Sequence, residues 1–102
     1  MKIVIVEDEV RIREGIHRLL TKTDPSFEVV GEAENGREGV ELLLRERPDL
    51  ALVDVRMPEL DGIGMLEAVQ AQGFKPMVIV LIAYSDFSYA QQAMKLGARE
   101  YL

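Results

Sequence analysis

Three acidic residues follow short apolar runs, and their side chains could together hold a hard cation. Glu7 and Asp8 follow the apolar run at residues 3–6, and Asp54 follows the run at residues 50–53. Carboxylates placed close together repel one another, and each raises the pKa of its neighbours unless a cation compensates. Mg²⁺ prefers oxygen ligands and typically takes one or two carboxylates together with water and phosphate oxygens. The three acids therefore indicate a magnesium site that leaves Asp54 able to attack phosphorus.

The acids can meet only if the surrounding elements bring them together, and the apolar pattern predicts those elements. Short apolar runs at residues 3–6, 27–30, 50–53, 77–82 and 98–102 predict five strands. Between them, apolar residues at helical spacing predict four helices. Asp24-Pro25 is interpreted as the end of the first helix, Asn35-Gly36 as a turn, and Asp61-Gly62 as part of a loop. Gly73 and Gly97 are interpreted as helix ends. The helical residues are Ile12, Ile16, Leu19 and Leu20; Val40, Leu43 and Leu44; Met65, Leu66 and Val69; and Ala90, Ala93 and Met94.

Strands that alternate with helices predict an α/β fold, a doubly wound parallel sheet covered on both faces. The first and fourth runs are apolar almost throughout, which suits strands buried on both faces. A common order for five such strands is the flavodoxin-like order 2-1-3-4-5. Right-handed crossovers would then place the first helix on one face and the other three on the opposite face. Strands one and three become neighbours, and because ligands bind beyond the carboxyl ends of strands at such a switch point, Glu7, Asp8 and Asp54 should converge on one crevice.

Composition narrows the class of protein further. A chain of 102 residues suits one domain, and its formal net charge of −6 argues against direct contact with nucleic acid or an anionic membrane surface. The absence of cysteine excludes disulfides and thiolate metal sites. No apolar run is long enough to span a membrane, and the apolar run near Met1 is too short for a signal peptide. These features together predict a soluble cytoplasmic protein.

The acidic residues and their neighbours resemble a known family. The pattern is a β-branched run ending in Glu7-Asp8, then Asp54 within Val-Asp-Val-Arg-Met-Pro, then Asp61-Gly62. It resembles the receiver domain of two-component response regulators, and the resemblance runs from residue 2 to residue 102. We therefore interpret the whole chain, residues 1–102, as one receiver domain, truncated at its carboxyl end.

The resemblance implies a role for each acid. It implies that Asp54 is the phosphoacceptor, phosphorylated by a histidine kinase, so the domain accepts a phosphoryl group and is not itself an enzyme. It implies that Asp8 and Asp54 bind Mg²⁺ directly, that Glu7 acts through water, and that the backbone carbonyl of Arg56 is a further ligand. The stretch at residues 84–90, Tyr-Ser-Asp-Phe-Ser-Tyr-Ala, narrows the resemblance to regulators with an AraC-type helix-turn-helix output domain. The implied partners are the kinase, that DNA-binding domain in the same protein, and a second copy in a homodimer.

Two departures from the family pattern concern the residues that switch on phosphorylation. Receivers usually carry Ser or Thr at the end of strand four, where this chain has Ile82. Isoleucine cannot donate to a phosphoryl oxygen, and a hydrogen bond to a charged group is worth roughly 1.5–3 kcal/mol. Ala83 is the small residue that the family favours next. Tyr101 matches the aromatic switch position, but the family's lysine and fifth helix would come after Leu102, so we expect both to be missing.

Three other functions compete with a phosphorylation switch. A degenerate receiver that binds partners without switching is favoured by Ile82 and opposed by the three acids. A phosphatase of the haloacid dehalogenase type needs a second acid two residues after the nucleophile, where this chain has Arg56. A Rossmann nucleotide site needs a glycine-rich turn after the first strand, where this chain has Glu7-Asp8. A lone acid at a strand end would be an ordinary solvated residue, but three at one switch point favour a site.

Overall fold

Strands and helices alternate along the part of the chain that the computed structural model describes, which comprises residues 1–54, residues 60–81 and the backbone of residues 100 and 101. The elements are β1 (Lys2–Val6), α1 (Val10–Thr23), β2 (Glu28–Ala33), α2 (Gly36–Glu46), β3 (Leu50–Asp54), α3 (Gly62–Ala71), β4 (Met77–Leu81) and β5 (Glu100–Tyr101). The predicted alternation is confirmed for five strands and the first three helices. The predicted fourth helix lies outside the described residues.

All five strands form one parallel sheet in the order β2-β1-β3-β4-β5. The α/β fold and the flavodoxin-like order predicted from the sequence are therefore confirmed. β1 lies between β2 and β3, and its last residue, Val6, is the register partner of Val53. One position further along β3, Asp54 is the partner of Leu81 on β4. This register places the carboxyl ends of β1, β3 and β4 side by side.

Alternate residues of the strands pack into two hydrophobic cores on opposite faces of the sheet. On one face the cluster includes Val4 and Val6 of β1 together with Leu43 of α2 and Leu66 of α3. On the other face Ile3 lies in a smaller cluster with Leu50 and Leu52 of β3, against which Ile16 and Leu20 of α1 pack. The helices therefore occupy the faces that right-handed crossovers predict, α1 on one and α2 and α3 on the other.

Burial of the strands differs from the prediction in one respect. The first strand is buried on both faces, as predicted, since Ile3, Val4, Ile5 and Val6 are all inaccessible to solvent. The fourth strand was expected to be buried in the same way, and that prediction is wrong. Val78 and Val80 are buried, but Met77 is 42% exposed and its same-face neighbours Ile79 and Leu81 are only part-buried. The reason is that α1 packs against β1 and β2, at a distance from β4 in the sheet.

Asn35-Gly36, predicted to form a turn, and Asp61-Gly62, predicted to lie in a loop, prove to be helix starts. Asn35 is the N-cap of α2, where its side-chain oxygen accepts the backbone N–H of Glu38 at 2.8 Å. Asp61 is the N-cap of α3 and accepts the N–H of Gly64 at 2.8 Å. Side-chain oxygens at these positions satisfy N–H groups of the first helical turn that have no partner within the helix. The glycines that follow the two caps are the first residues of their helices.

The second strand is longer than predicted. The predicted run stopped before Gly31, whereas β2 extends from Glu28 to Ala33, with a register irregularity opposite Ile3 and Val4. Gly31 lies inside the strand, where the absence of a side chain leaves room for a residue of α2. A Cβ placed there would lie 2.5 Å from Leu42 Cδ1 of α2. The extension matters for the site, because it carries Glu32 and Ala33 up to the end of β1.

Candidate functional site

The three acids predicted to form a site do lie together at the carboxyl ends of β1 and β3. Because Val6 and Val53 are register partners, the residues that follow them, Glu7 and Asp54, lie at the carboxyl ends of neighbouring strands, at the same edge of the sheet. The Glu7 N–H donates to the carbonyl oxygen of Ala33 at 3.0 Å, which continues the pairing of β1 with β2. One carboxylate oxygen from each of Glu7, Asp8 and Asp54 lies within 4.8 Å of the other two.

The three carboxylates differ in their access to solvent. Glu7 is 4% exposed, Asp54 is partly buried and Asp8 is exposed. Within the described part of the chain, the Glu7 Oε2 atom is buried and has no hydrogen-bond partner. A buried acceptor without a partner is unfavourable by about 1–3 kcal/mol, and such atoms are rare in folded proteins. This atom therefore lies where a bound group would satisfy it.

The crowding of these acids changes the protonation of Glu7. Burial raises the pKa of Glu7 from its ordinary value of 4.5 to about 8, aided by a hydrogen bond to the Asp54 carboxyl and by the negative charges of Asp54 and Asp8. A hydrogen bond from the backbone N–H of Asp8 opposes this rise in the pKa of Glu7. Near neutral pH, when no cation is present, the Glu7 carboxyl consequently keeps its proton and donates a hydrogen bond to the Asp54 carboxylate.

A hard cation fits this arrangement. All three side chains offer oxygen, the ligand atom that Mg²⁺ prefers. The buried Glu7 oxygen has no partner among the described residues, so it is available to the ion or to a water bound by the ion. The exposed side of the cluster, at Asp8, leaves room for the several waters that Mg²⁺ usually keeps. These residues can hold the ion, and the Asp54 carboxylate is partly accessible to solvent.

Other residues near the cluster were not predicted to belong to it. Arg13 of α1 donates through Nη1 to the carbonyl oxygen of Glu7 at 2.7 Å, and its Nε atom lies 3.4 Å from Glu32 Oε1. His17 lies one turn further along α1. Its side chain is 41% exposed, and its Nδ1 atom lies 2.8 Å from Glu32 Oε2. The signal in the sequence was the spacing of Arg13 and His17, which puts both on the edge of the helix face that carries Ile16 and Leu20.

Leu60, the residue before the N-cap of α3, lies next to α2. It packs so closely on Gly36 that a Cβ at residue 36 would overlap the Leu60 carbonyl oxygen. Gly36 is the first residue of α2 and is buried. The position of Leu60 beside α2 therefore depends on a glycine that permits close backbone contact.

Of the four remaining predicted site residues, the structure describes only the backbone of Tyr101. Arg56, Ile82 and Ala83 lie outside the described residues. Tyr101 lies in β5, where its backbone pairs with Val80 of β4. Leu81 is the register partner of Asp54, so residue 82 is the one that follows the strand position beside Asp54. The roles proposed for these four residues stay predictions.

Comparison with known proteins decides the family. The family model for the response regulator receiver domain matches residues 3–102. The chain belongs to the response regulator receiver domain family. None of the helices in the described part of the receiver domain combines the length and the apolar character that a membrane crossing requires.

Individual relatives agree with this membership. The receiver domain is 40% identical to the uncharacterized transcriptional regulatory protein YhcZ of Bacillus subtilis over 99% of this chain and 47% of YhcZ. It is 36% identical to the transcriptional regulatory protein DegU of Brevibacillus brevis over 100% of this chain and 43% of DegU. It thus spans less than half of either relative. The REC domain of AraT, a response regulator from Geobacillus stearothermophilus, matches 99% of this chain and 78% of that structure with a TM-score of 0.88 and 40% identity.

Proposed function

We propose that this receiver domain accepts a phosphoryl group on Asp54 from a histidine kinase, with Mg²⁺ held by Glu7, Asp8 and Asp54. The observation that carries the proposal is the convergence of the three carboxylates at the ends of neighbouring parallel strands. Glu7 and Asp8 act as ligands, Glu7 through water, and the backbone carbonyl of Arg56 is a further expected ligand. When bound, the ion neutralises negative charge on the phosphoryl oxygens.

The burial of the three acids supports Asp54 as the nucleophile. Glu7 is nearly inaccessible and is protonated near neutral pH in the absence of a cation, so it is poorly suited to attack. Asp54 is partly exposed at the end of β3. One of its carboxylate oxygens forms a bond to phosphorus while the P–N bond of a phosphohistidine breaks. The electron pair of that bond stays on the imidazole nitrogen of the kinase, which takes a proton from solvent.

The wider setting of the reaction is part of the proposal. The relatives are named as transcriptional regulators, which supports an output domain that binds DNA in the same protein. An AraC-type output domain is supported by the sequence at residues 84–90, which lie outside the described residues. We further propose that the domain is not an enzyme in its own right, works in the cytoplasm and forms a homodimer. The absence of cysteine agrees with a reducing compartment.

The alternative of a degenerate receiver has less support. It would rest on Ile82, which cannot donate a hydrogen bond to a phosphoryl oxygen. Against it stand the three acids, which lie together with a buried oxygen that has no partner among the described residues. A domain that served only as a docking surface would have no use for this cluster of like charges, which is unfavourable without a cation.

Incubation with a small phosphodonor, acetyl phosphate, tests the proposal through intact-mass analysis. The parent should gain one phosphoryl group in the presence of Mg²⁺, and Asp54→Asn should gain none. Glu9→Gln is the matched control, because Glu9 is an exposed acid in the same loop whose side chain makes no cap hydrogen bond. Phosphorylation of Asp54→Asn would mean that another acid is the acceptor, and no adduct on the parent would favour the degenerate receiver.

A further inference from the structure

Arg13 connects three elements beside the acidic cluster. From α1 its Nη1 atom donates to the carbonyl oxygen of Glu7, just beyond β1, at 2.7 Å. Its Nε atom lies 3.4 Å from Oε1 of Glu32 on β2. The Arg13 side chain is only 16% exposed, so both contacts are largely shielded from water. A planar guanidinium can donate in two fixed directions at once, which a lysine ammonium on a flexible stem does less well.

Glu32 fixes the guanidinium in place. Its two carboxylate oxygens have separate partners, Arg13 at Oε1 and His17 Nδ1 at Oε2, the latter at 2.8 Å. Both partners lie on α1, one turn apart, and Glu32 precedes the last residue of β2. The carboxylate therefore joins the helix to the end of the strand and limits the orientations that Arg13 can adopt.

The backbone of Glu7 is held from both sides as a result. Its N–H donates to the carbonyl oxygen of Ala33 at 3.0 Å, and its own carbonyl accepts from Arg13. That carbonyl belongs to the same planar peptide unit as the N–H of Asp8, and this N–H hydrogen bonds to the Glu7 carboxyl. Rotation of the peptide unit would therefore disturb the Glu7 side chain and redirect the Cα–Cβ bond of Asp8.

The start of α1 does not supply this restraint by itself. Glu9 is the N-cap residue of α1, and its side chain makes no cap hydrogen bond. The helix is instead joined to the loop before it by Arg13, four residues after Glu9, whose side chain donates to the Glu7 carbonyl oxygen. The backbone N–H of Arg13 also donates to the Glu9 carbonyl at 2.9 Å, which sets the position of the guanidinium relative to the loop.

We propose that Arg13 is a positioning residue for the metal site, which fixes the Glu7–Asp8 peptide so that the two carboxylates face the ion. The inference rests on the proposed function in that the ion is Mg²⁺. The positioning role and the positive charge of Arg13 should have opposite effects on Mg²⁺ affinity. A positive charge near a cation site repels the cation, so removing it would strengthen binding if charge alone mattered. Loss of the positioning contact should weaken binding, because ligand orientation is lost.

Calorimetric titration of the protein with Mg²⁺ separates these effects. Arg13→Gln and Arg13→Lys should each bind Mg²⁺ roughly tenfold more weakly than the parent, the scale typical for residues that orient metal ligands. Glu32→Gln should weaken binding in the same direction, because Arg13 loses its anchor. Arg11→Gln is the matched control, since Arg11 is an exposed α1 arginine without a hydrogen bond or ion pair to the described part of the chain. It should bind as the parent does or slightly more tightly.

A metal-free measurement distinguishes failure of this inference from failure of the proposed site. In the presence of a chelator, hydrogen exchange of the Asp8 amide should be faster in Arg13→Gln and Arg13→Lys than in the parent, with Arg11→Gln unchanged. Equal exchange would overturn the inference, as would Mg²⁺ binding by Arg13→Gln that equals or exceeds that of the parent. If Asp8→Asn binds Mg²⁺ as well as the parent does, the metal site itself is wrong, whereas the exchange result still decides whether Arg13 holds the peptide. Arg13→Lys and Glu32→Gln carry the test should Arg13→Gln fail to fold.

Discussion

The carboxyl groups of Glu7 and Asp54 hydrogen bond to each other across the ends of β1 and β3. Two carboxyl groups can share a hydrogen bond only if one of them keeps a proton, and burial makes Glu7 the group that does. The metal-free domain therefore holds a proton in the position where the proposed site would hold positive charge. Proton and cation should compete for the same carboxylates.

This relationship predicts an unusual dependence of stability on pH. Because the pKa of Glu7 is raised in the folded state from 4.5 to about 8, the folded state binds more protons than the unfolded state between these values. The contribution of Glu7 to the free energy of unfolding should be complete below the lower value and lost as pH rises to the upper one. The loss is at most about 1.4 kcal/mol per pH unit for one proton.

Urea unfolding of the metal-free protein across that pH range, for the parent and Glu7→Gln, measures this contribution. The glutamine variant carries a neutral side chain at every pH, so groups distant from the acidic cluster contribute equally to both proteins and cancel in the difference. As pH rises, the unfolding free energy of the parent should fall steadily relative to that of Glu7→Gln. A difference that stays constant from one end of the range to the other would show that Glu7 is not protonated in the folded state.

A second prediction concerns the close contact between Gly36 and Leu60. Gly36→Ala places a methyl group against the Leu60 carbonyl oxygen, so α2 or the backbone at Leu60 must shift. We expect a loss of about 1–3 kcal/mol in the free energy of unfolding. Gly15→Ala is the matched control, because a Cβ at Gly15 meets no atom within 4 Å. That change should stabilise α1 by up to about 1 kcal/mol. Equal stability of the two variants in urea would contradict this account of Gly36.

Much of the fold and of the acidic cluster follows from the sequence because both depend on local patterns. The acid pair Glu7-Asp8 and Asp54 directly follow apolar runs, and parallel pairing alone brings such strand ends together. Arg13 could not be assigned in this way. Its role depends on β2 reaching Ala33, whereas the predicted strand stopped at residue 30. Asn35, the cap of α2, was interpreted as part of a turn because the same residue types favour both settings.

A third prediction concerns Ile82, which lies outside the described residues. The family pattern places a hydroxyl there, and phosphorylation draws it toward the phosphoryl group while the aromatic residue at the position of Tyr101 turns inward. Without a hydroxyl the two events should be loosely coupled, because a ligand shifts an equilibrium only by its differential affinity for the two states. Ile82→Thr should therefore increase the response of Tyr101 to phosphorylation.

Backbone NMR with and without beryllofluoride, a phosphoryl mimic, measures that response. The comparison is best made in a chain extended beyond Leu102 through the lysine that the family carries after β5. The threonine variant should show larger shifts at Tyr101 and at residues 86–97 than the parent shows. A parent that already responds as fully as the threonine variant would show that the hydroxyl is dispensable in this protein.

The rate of Asp54 phosphorylation by acetyl phosphate, measured with Mg²⁺ and with a chelator, shows whether a bound ion takes part in phosphoryl transfer. Intact-mass analysis follows the adduct over time in the parent, Asp8→Asn and Glu9→Gln. One adduct, mapped to Asp54, should form about 100-fold more slowly in the chelator and in Asp8→Asn than in the parent with Mg²⁺, whereas Glu9→Gln should behave as the parent does. An adduct that forms equally fast without Mg²⁺, or equally fast in Asp8→Asn, would contradict the claim that these acids hold a metal ion for phosphoryl transfer to Asp54.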